Sequence, residues 1–174
     1  MPTRTYLELR RAEDLRRAAA PSDQISVHQV DDCAPSFWRR LYSEVGSQYH
    51  WVDRLVWTDD DIRAYLADPA VSLWILSVDG GVAGYFELRK HVDASPEPRA
   101  PGPDFSVEVA YFGLLPSYVG RGLGKYLLSE AAARAWELQP ARVWLHTSTL
   151  DHPAALPNYL ARGFAVFKVE EYSL

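Results

Sequence analysis

A glycine-rich turn in front of a long helical pattern is the feature of this sequence that most constrains its fold. The stretch "YVGRGLGKYLLSEAAARAWEL", residues 118–138, contains three glycines within five residues, Gly120, Gly122 and Gly124. Apolar residues then recur along one helical face, which consists of Leu123, Leu127, Ala131, Ala135 and Leu138. Glycine inside a helix costs about 1 kcal/mol relative to alanine. Because a helix of this quality forms without such a turn, we expect a ligand to approach the backbone closely here.

The glycine turn has the properties of an anion-binding site. The segment before it, "FSVEVAYFGLLP", is predicted to be a strand that Pro116 closes. Amides at the start of a helix have no partner within the helix, and the helix dipole favours negative charge there. Arg121 and Lys125 add positive charge. The turn has neither the Gly-Lys-Ser/Thr ending of a P-loop nor the Gly-x-Gly-x-x-Gly spacing of a dinucleotide site.

The other hydrophobic patterns predict strands and helices around one mixed sheet. The segment "VSLWILSVDGGVAGYFELRK" indicates two strands joined at Asp79-Gly80, a pair suited to a tight hairpin turn. The remaining predictions are a first core strand at residues 25–30, helices at 35–47 and 58–69, strands at 105–116 and 141–149, a short helix at 153–162 and a last strand at 163–174. Four prolines in "DASPEPRAPGPD", residues 93–104, predict an exposed loop. This order favours an α+β fold, an α/β sandwich.

Length and composition favour one soluble domain. A chain of 174 residues is most simply a single domain, for which we take residues 25–174. Residues 1–24 are then an N-terminal extension that packs on the domain as an edge strand, at residues 5–9, or as a short helix. The N-terminal segment has no unbroken apolar region, and no segment is apolar over a membrane length. We therefore expect a cytoplasmic protein without a membrane partner.

Charge and cysteine content exclude other classes. The net charge of −5 disfavours a nucleic-acid partner, including a charged tRNA, because such proteins carry a basic face. The single cysteine, Cys33, excludes an internal disulfide and a cysteine-based metal site. His146 and His152 are separated by a change from strand to helix, so we expect no metal there.

Two motifs carry a resemblance to a known family. The stretch "LLPSYVGRGLGKYLL" resembles the coenzyme A pyrophosphate loop of the GNAT superfamily of acyl-CoA-dependent acyltransferases, whose pattern is Arg/Gln-x-x-Gly-x-Gly/Ala. Gly122 and Gly124 match the two small residues, whereas Val119 stands in the Arg/Gln position. The stretch "DHPAALPNYLARGFAVF" resembles the family segment NP-x-A-x-x-x-YE-x-x-GF, with His152 in the Asn position and Tyr159 and Gly163-Phe164 as direct matches. The resemblance runs from residue 25 to the C-terminus.

The resemblance implies a fold and a reaction. The GNAT fold has a central mixed, twisted β-sheet that is splayed in the middle to admit the cofactor and is flanked by helices. The implied reaction is direct transfer of an acetyl group from acetyl-CoA, without a metal, to a primary amine of a small molecule or peptide in a ternary complex. The implied assembly is a monomer or a homodimer. A non-catalytic acyl-CoA-binding sensor on the same fold is the alternative; Val119 favours it, while Tyr159 and Glu108 oppose it.

The resemblance also assigns roles to residues. Expected cofactor contacts are Leu114, Leu115, Val119, Gly120, Arg121, Gly122, Leu123, Gly124, Lys125, His152 and Tyr159. Tyr159 is the candidate general acid because the family tyrosine lies near the cofactor sulfur, although Pro157 is expected to distort its helix. Glu108 is the candidate base, acting through water, or else an exposed strand carboxylate. His146 and Glu87 are the next candidates.

The acceptor pocket is expected in the aromatic segment "SQYHWVDRLVW" and the proline-rich loop. Candidate substrate-binding residues are His50, Trp51, Asp53, Arg54, Glu87 and His146. Aromatic walls with Asp53 suit an amine, and Arg54 suits a carboxylate. The alternative is that these aromatic residues only pack helices together.

Overall fold

A computed structural model describes residues 1–22, 24–92 and 102–173. The strands are β1 Thr3–Leu9, β2 Ile25–Val30, β3 Val71–Val78, β4 Gly81–Val92, β5 Phe105–Leu114, β6 Val143–Ser148 and β7 Ala165–Glu171. The helices are α1 Pro35–Gly46, α2 Asp59–Ala67, α3 Leu123–Glu137 and α4 Ala155–Ala161. All four predicted helices are confirmed. Most of the proline-rich loop, residues 93–101, lies outside the described residues.

The strands form one mixed sheet in the order β2-β3-β4-β5-β6-β1-β7, which confirms the predicted fold class. Every neighbouring pair is antiparallel except β5 and β6. These two strands pair only through Val107 with Val143 and Glu108 with Trp144, and they diverge beyond that point. The sheet is therefore open in its middle, between the second half of β5 and the second half of β6.

The positions of two strands differ from the prediction. The strand expected at an edge, near residues 5–9, is β1, and it lies inside the sheet between β6 and β7, with Leu7 and Leu9 fully buried. The strand expected in the core, β2, forms an edge of the sheet instead. The first error has a physical cause: the pairing of β1 with β6 and β7, which are distant in sequence, leaves no trace in the local pattern of these segments.

Helices cover the two faces of the sheet with separate apolar cores. On one face, α3 packs through Leu127, Leu128 and Ala131 against strand residues such as Leu7 and Leu145. On the other face, a second core joins α1 and α2 to β3 and β4; its buried residues include Trp38, Leu41, Tyr42, Val45, Ile62 and Tyr85. Leu138, expected on the buried face of α3, is 38% exposed because the helix ends at Glu137.

Local signals in the sequence account for the turns and caps that hold these elements. Thr58 and Asp61 form a capping box at the start of α2. The hairpin between β3 and β4 turns at Asp79 and Gly80, both with positive φ, 51° and 79°. Within the described residues, no helix is long and apolar enough to cross a membrane.

Candidate active site

A cavity of about 730 Å³ opens where β5 and β6 diverge. Its walls come from the loop between α1 and α2, the second half of β5, the glycine turn, β6 and α4. One continuous space thus reaches from the predicted anion site to the predicted acceptor segment, through the gap in the sheet.

The glycine turn presents its backbone to this cavity. Gly120 and Gly122 have φ angles of 82° and 74°, in the left-handed region, and Gly122 is the residue that precedes α3. No side chain among the described residues caps this end of the 15-residue helix. The cavity wall here consists of Val119, Gly120, Gly122, Gly124 and Lys125. Free amides, a helix dipole and one lysine therefore face the same space, as binding of a pyrophosphate requires.

Three of the expected cofactor contacts lie elsewhere. The Arg121 guanidinium stacks on the Tyr118 ring, 5.1 Å from its centroid, and does not line the cavity. Leu115 and Leu123 are buried in the two cores, at 8% and 3% exposure. These two leucines flank the glycine turn and anchor it to the two cores, which explains their place in the sequence motif.

The end of β5 carries two amides that point into the gap. The amide of Leu115 donates to Ala83 O on β4, at 2.8 Å. Because successive amides of a strand alternate in direction, those of Leu114 and Phe112 point away from β4, towards the diverging β6. Leu114 and Phe112 both line the cavity.

Tyr159 lies on the cavity wall, where its side chain is almost fully enclosed. Its side chain is 7% exposed, and its ring makes edge contacts with Phe112 and Phe164, with centroids at 6.3 and 6.4 Å. Burial, with a smaller contribution from Asp151, raises its pKa well above the ordinary value for tyrosine. The expected distortion at Pro157 is absent: this residue is the third of α4, where a helical amide needs no partner.

Glu108 does not line the cavity but touches a residue that does. Its side chain is 12% exposed, and its Oε2 lies 2.7 Å from Nε2 of His91, a residue that the sequence did not single out. Its Oε1 lies 3.9 Å from Nε2 of His146, which lines the cavity. The carboxyl group of Glu108 is thus held between two histidines.

The end of the cavity that the loop after α1 forms is aromatic. Tyr49, His50, Trp51 and Asp53 line it from the loop after α1. The Trp51 ring stands perpendicular to that of Tyr111 on β5, with centroids 4.9 Å apart. His152, also in the wall, contacts Tyr49 edge-on at 6.0 Å. The exposed carboxylate of Asp53 therefore sits beside an aromatic wall.

A family model for acetyltransferases of the GNAT family matches residues 35–164, which include the glycine turn, the gap and Tyr159. The chain belongs to the GNAT family. An uncharacterised N-acetyltransferase in the pepI 3′ region of Lactobacillus delbrueckii subsp. lactis is 31% identical over 117 residues. That match covers 67% of this chain and 64% of the relative, so the chain spans less than two thirds of it.

Solved structures share the GNAT fold. An aminoglycoside acetyltransferase from an uncultured soil metagenomic sample, in complex with trehalose, superposes with a TM-score of 0.69 at 12% identity, covering 89% of this chain and 98% of that one. The aminoglycoside N-acetyltransferase AAC(6')-Iy in complex with CoA gives a TM-score of 0.59 at 17% identity, covering 86% and 94%. At these identities the likeness concerns the fold alone.

Arg54 and Glu87, expected to bind substrate, are structural in this GNAT domain. Glu87 is fully buried, and its carboxyl group accepts from Arg54 Nη1 at 2.8 Å, from Trp38 Nε1 at 2.7 Å and from the Tyr65 hydroxyl at 2.7 Å. Arg54 is 8% exposed and lies over the ring of Tyr111, 4.0 Å from its centroid. Neither residue lines the cavity. Arg54 and Glu87 are far apart in sequence and neutralise each other inside the core. The local sequence pattern does not show this pair, and the prediction that they bind substrate therefore failed.

Sequence reasoning also missed residues that line the GNAT cavity. They include Arg4, Tyr111, Asp151, Asn158 and Tyr172. Arg4 lies over the Tyr172 ring at 4.4 Å, and the Tyr172 hydroxyl is 2.7 Å from Ser148 Oγ. Only the insertion of β1 between β6 and β7 brings Arg4 and Tyr172 to the site, so no local motif marks these two residues. Among the described residues, no group of three His, Cys, Asp or Glu side chains is arranged to hold a metal.

Proposed function

We propose that this protein transfers the acetyl group of acetyl-CoA directly to a primary amine of a small molecule or peptide, with both substrates bound at once. The observation that carries the proposal is the single cavity that joins the glycine turn to an aromatic, Asp53-bearing mouth through the gap in the sheet. A ternary complex needs such a space, because the two substrates must meet without a covalent enzyme intermediate.

The residues of the glycine turn hold the co-substrate. The amides of Gly120, Gly122 and Gly124 and the ammonium group of Lys125 bind the pyrophosphate. Val119 supplies no side-chain hydrogen bond at the position of the family's Arg or Gln, so the backbone carries more of this binding. The amides of Phe112 and Leu114 point at the gap, where they orient a carbonyl oxygen and stabilise the negative charge that develops on it.

Tyr159 supplies the proton that the reaction needs. Acetyl-CoA contributes a thioester, whose carbonyl carbon is attacked and whose thiolate leaves. The high pKa of Tyr159 keeps its hydroxyl group protonated at neutral pH, ready to donate to a sulfur anion. The hydroxyl group has no hydrogen-bond partner within the described part of the chain and is therefore available.

The acceptor is a cation before it reacts. The carboxylate of Asp53 attracts an ammonium group. The rings of Trp51 and Tyr111 contact this cation and the carbon atoms next to it. Polyamines, aminoglycosides and peptide amines all have this chemistry. We include aminoglycosides because two proteins with this fold are named aminoglycoside acetyltransferases.

A coenzyme A release assay over a panel of such amines, with a thiol reagent as readout, tests the proposal. We expect release above the buffer rate with at least one class of amine, and a higher melting temperature with acetyl-CoA. A rise in melting temperature without release for any amine would support the alternative of a non-catalytic acyl-CoA sensor. An unchanged melting temperature at millimolar acetyl-CoA would contradict both.

A further inference from the structure

The carboxyl group of Glu108 lies at the point where β5 and β6 separate, with a histidine on either side. His91 reaches it from β4 and His146 from β6, at 2.7 and 3.9 Å. Only His146 lines the cavity. The three side chains lie on one face of the sheet, because Arg89, two residues before His91, pairs with Glu108, and Glu108 pairs with Trp144, two residues before His146.

Resting on the proposed function, we propose that His146 takes the proton from the acceptor ammonium group, and that Glu108 and His91 are positioning residues for it. Glu108 is too enclosed to reach an amine in the cavity, whereas the ring of His146 is 37% exposed, on the cavity side. At 3.9 Å, Glu108 Oε1 lies close enough to His146 Nε2 to form an ion pair with the protonated ring. His91 fixes the carboxyl group through its own bond of 2.7 Å.

The proton passes from the ammonium group to His146. One N–H bond of the ammonium group breaks, its electron pair stays on nitrogen, and a ring nitrogen of neutral His146 becomes protonated. The free amine then attacks the thioester carbon, the C–N bond forms and the C–S bond breaks. Tyr159 gives its proton to the thiolate, and the amide nitrogen loses its second proton to restore Tyr159. The imidazolium of His146 releases its proton to solvent.

The surroundings keep His146 uncharged at neutral pH. Burial lowers its pKa below the ordinary 6.5, and Arg4 on β1 lowers it further, while Glu108, Asp151 after β6 and Glu170 on β7 raise it. The ring of Tyr6 on β1 lies beside it, with centroids 5.6 Å apart. Because a base must be neutral to accept a proton, activity is retained above the pKa of His146 and is lost as the pH falls through it, below 6.5.

Variants at the two residues separate the roles of Glu108 and His146. With an amine substrate, we expect His146→Gln to lower kcat/KM by about 100-fold at pH 7 and to remove the break in the pH profile that the titration of His146 produces. Its remaining rate then follows the free-amine fraction, rising about tenfold per pH unit. Glu108→Gln removes a charge that raises the pKa of His146, so the acidic limb moves to lower pH with a smaller loss of rate. His28→Gln, on the remote edge strand β2, is the matched control and keeps the wild-type profile.

The role of His91 has its own test. We expect His91→Leu to lower kcat/KM about tenfold with an unchanged KM for acetyl-CoA, and His91→Gln, which retains a side-chain donor, to restore most of the loss. An NMR titration of the histidines needs no acceptor amine; it should find the His146 signal, assigned by its loss in His146→Gln, titrating below pH 6.5 and lower still in Glu108→Gln.

Three results would overturn the inference. The first is an active wild-type protein whose pH profile is unchanged in His146→Gln. This result would leave the proposed function intact. The second is a greater loss in Glu108→Gln than in His146→Gln, which makes Glu108 the base. The third is a His146 titration that does not respond to Glu108→Gln. A wild type inactive with every amine would instead refute the proposed function, and with it the role of His146.

Discussion

At the scale of single residues, Tyr159 combines the properties that a proton donor to a thiolate requires. It is nearly buried, it lies on the cavity wall, and its raised pKa keeps the proton in place. We expect Tyr159→Phe to lower kcat by about 100-fold and to leave the Kd for acetyl-CoA unchanged, because the ring contacts with Phe112 and Phe164 persist. Steady-state kinetics and calorimetry measure the two effects.

Tyr126→Phe, on α3 and outside the cavity lining, is the control and should keep wild-type turnover. For the wild type, kcat should also not fall as the pH rises to about 10, where an ordinary tyrosine ionises, since the pKa of Tyr159 is higher. Unchanged turnover in Tyr159→Phe would remove this residue from the mechanism.

Arg54 has the opposite character: it is buried, pairs with Glu87 and does not line the cavity. Arg54→Met leaves the fully buried carboxyl group of Glu87 without its counter-charge. We expect a loss of about 3–5 kcal/mol in the free energy of unfolding, measured by urea denaturation. Arg40→Met breaks a surface pair with Glu44 and should cost less than about 1 kcal/mol. Equal, small effects of the two variants would contradict this assignment.

At the scale of elements, substitutions at the start of α3 distinguish glycines that stabilise the helix from glycines that bind a ligand. Gly124 lies inside the helix with ordinary φ, and a Cβ there would meet only Leu114 Cδ1, at 3.9 Å. Gly124→Ala should therefore raise the free energy of unfolding by about 0.5–1 kcal/mol, through helix propensity alone. The same methyl group projects at the cavity wall, so the affinity for acetyl-CoA should fall at least tenfold, as measured by calorimetry.

Gly122→Ala is the comparison, because Gly122 has a φ of 74° and alanine is strained there. Gly122→Ala should lower the free energy of unfolding by about 1 kcal/mol, whereas Gly124→Ala should raise it. If Gly124→Ala binds acetyl-CoA as tightly as the wild type does, the turn does not hold the pyrophosphate.

At the scale of the whole molecule, β1 is the strand that joins β7 to the rest of the sheet. Deletion of residues 1–9 removes the buried Leu7 and Leu9 and both of its pairings. We expect the truncated chain to lose cooperative thermal unfolding, followed by circular dichroism. Leu7→Ala should cost about 2–5 kcal/mol, while Val169→Ala, at a position 59% exposed on β7, should be nearly neutral. A truncated chain that melts cooperatively like the wild type would make β1 dispensable.

The sequence predicted those features that depend on neighbouring residues. The cap at Thr58, the turn at Asp79-Gly80 and the glycine turn before α3 are each specified within a few positions, and each is present. The position of β1, the pair of Arg54 with Glu87 and the bond of His91 with Glu108 depend on segments that meet only in the folded sheet. A charged residue in a strand looks the same in sequence whether it faces a substrate, a partner or solvent, so its role could not be predicted from the pattern.

The place of β1 in the sheet has a consequence for how the molecule is made. Ribosomes synthesise β1 before every other strand described here, yet its two neighbours, β6 and β7, are synthesised last. Until they emerge, β1 has two open backbone edges and two leucines without a core, the condition under which a nascent strand associates with the wrong partner. Contacts of such long sequence separation also slow folding. The sheet is therefore completed only when β6 and β7 have been synthesised and pair with β1 beside the cavity.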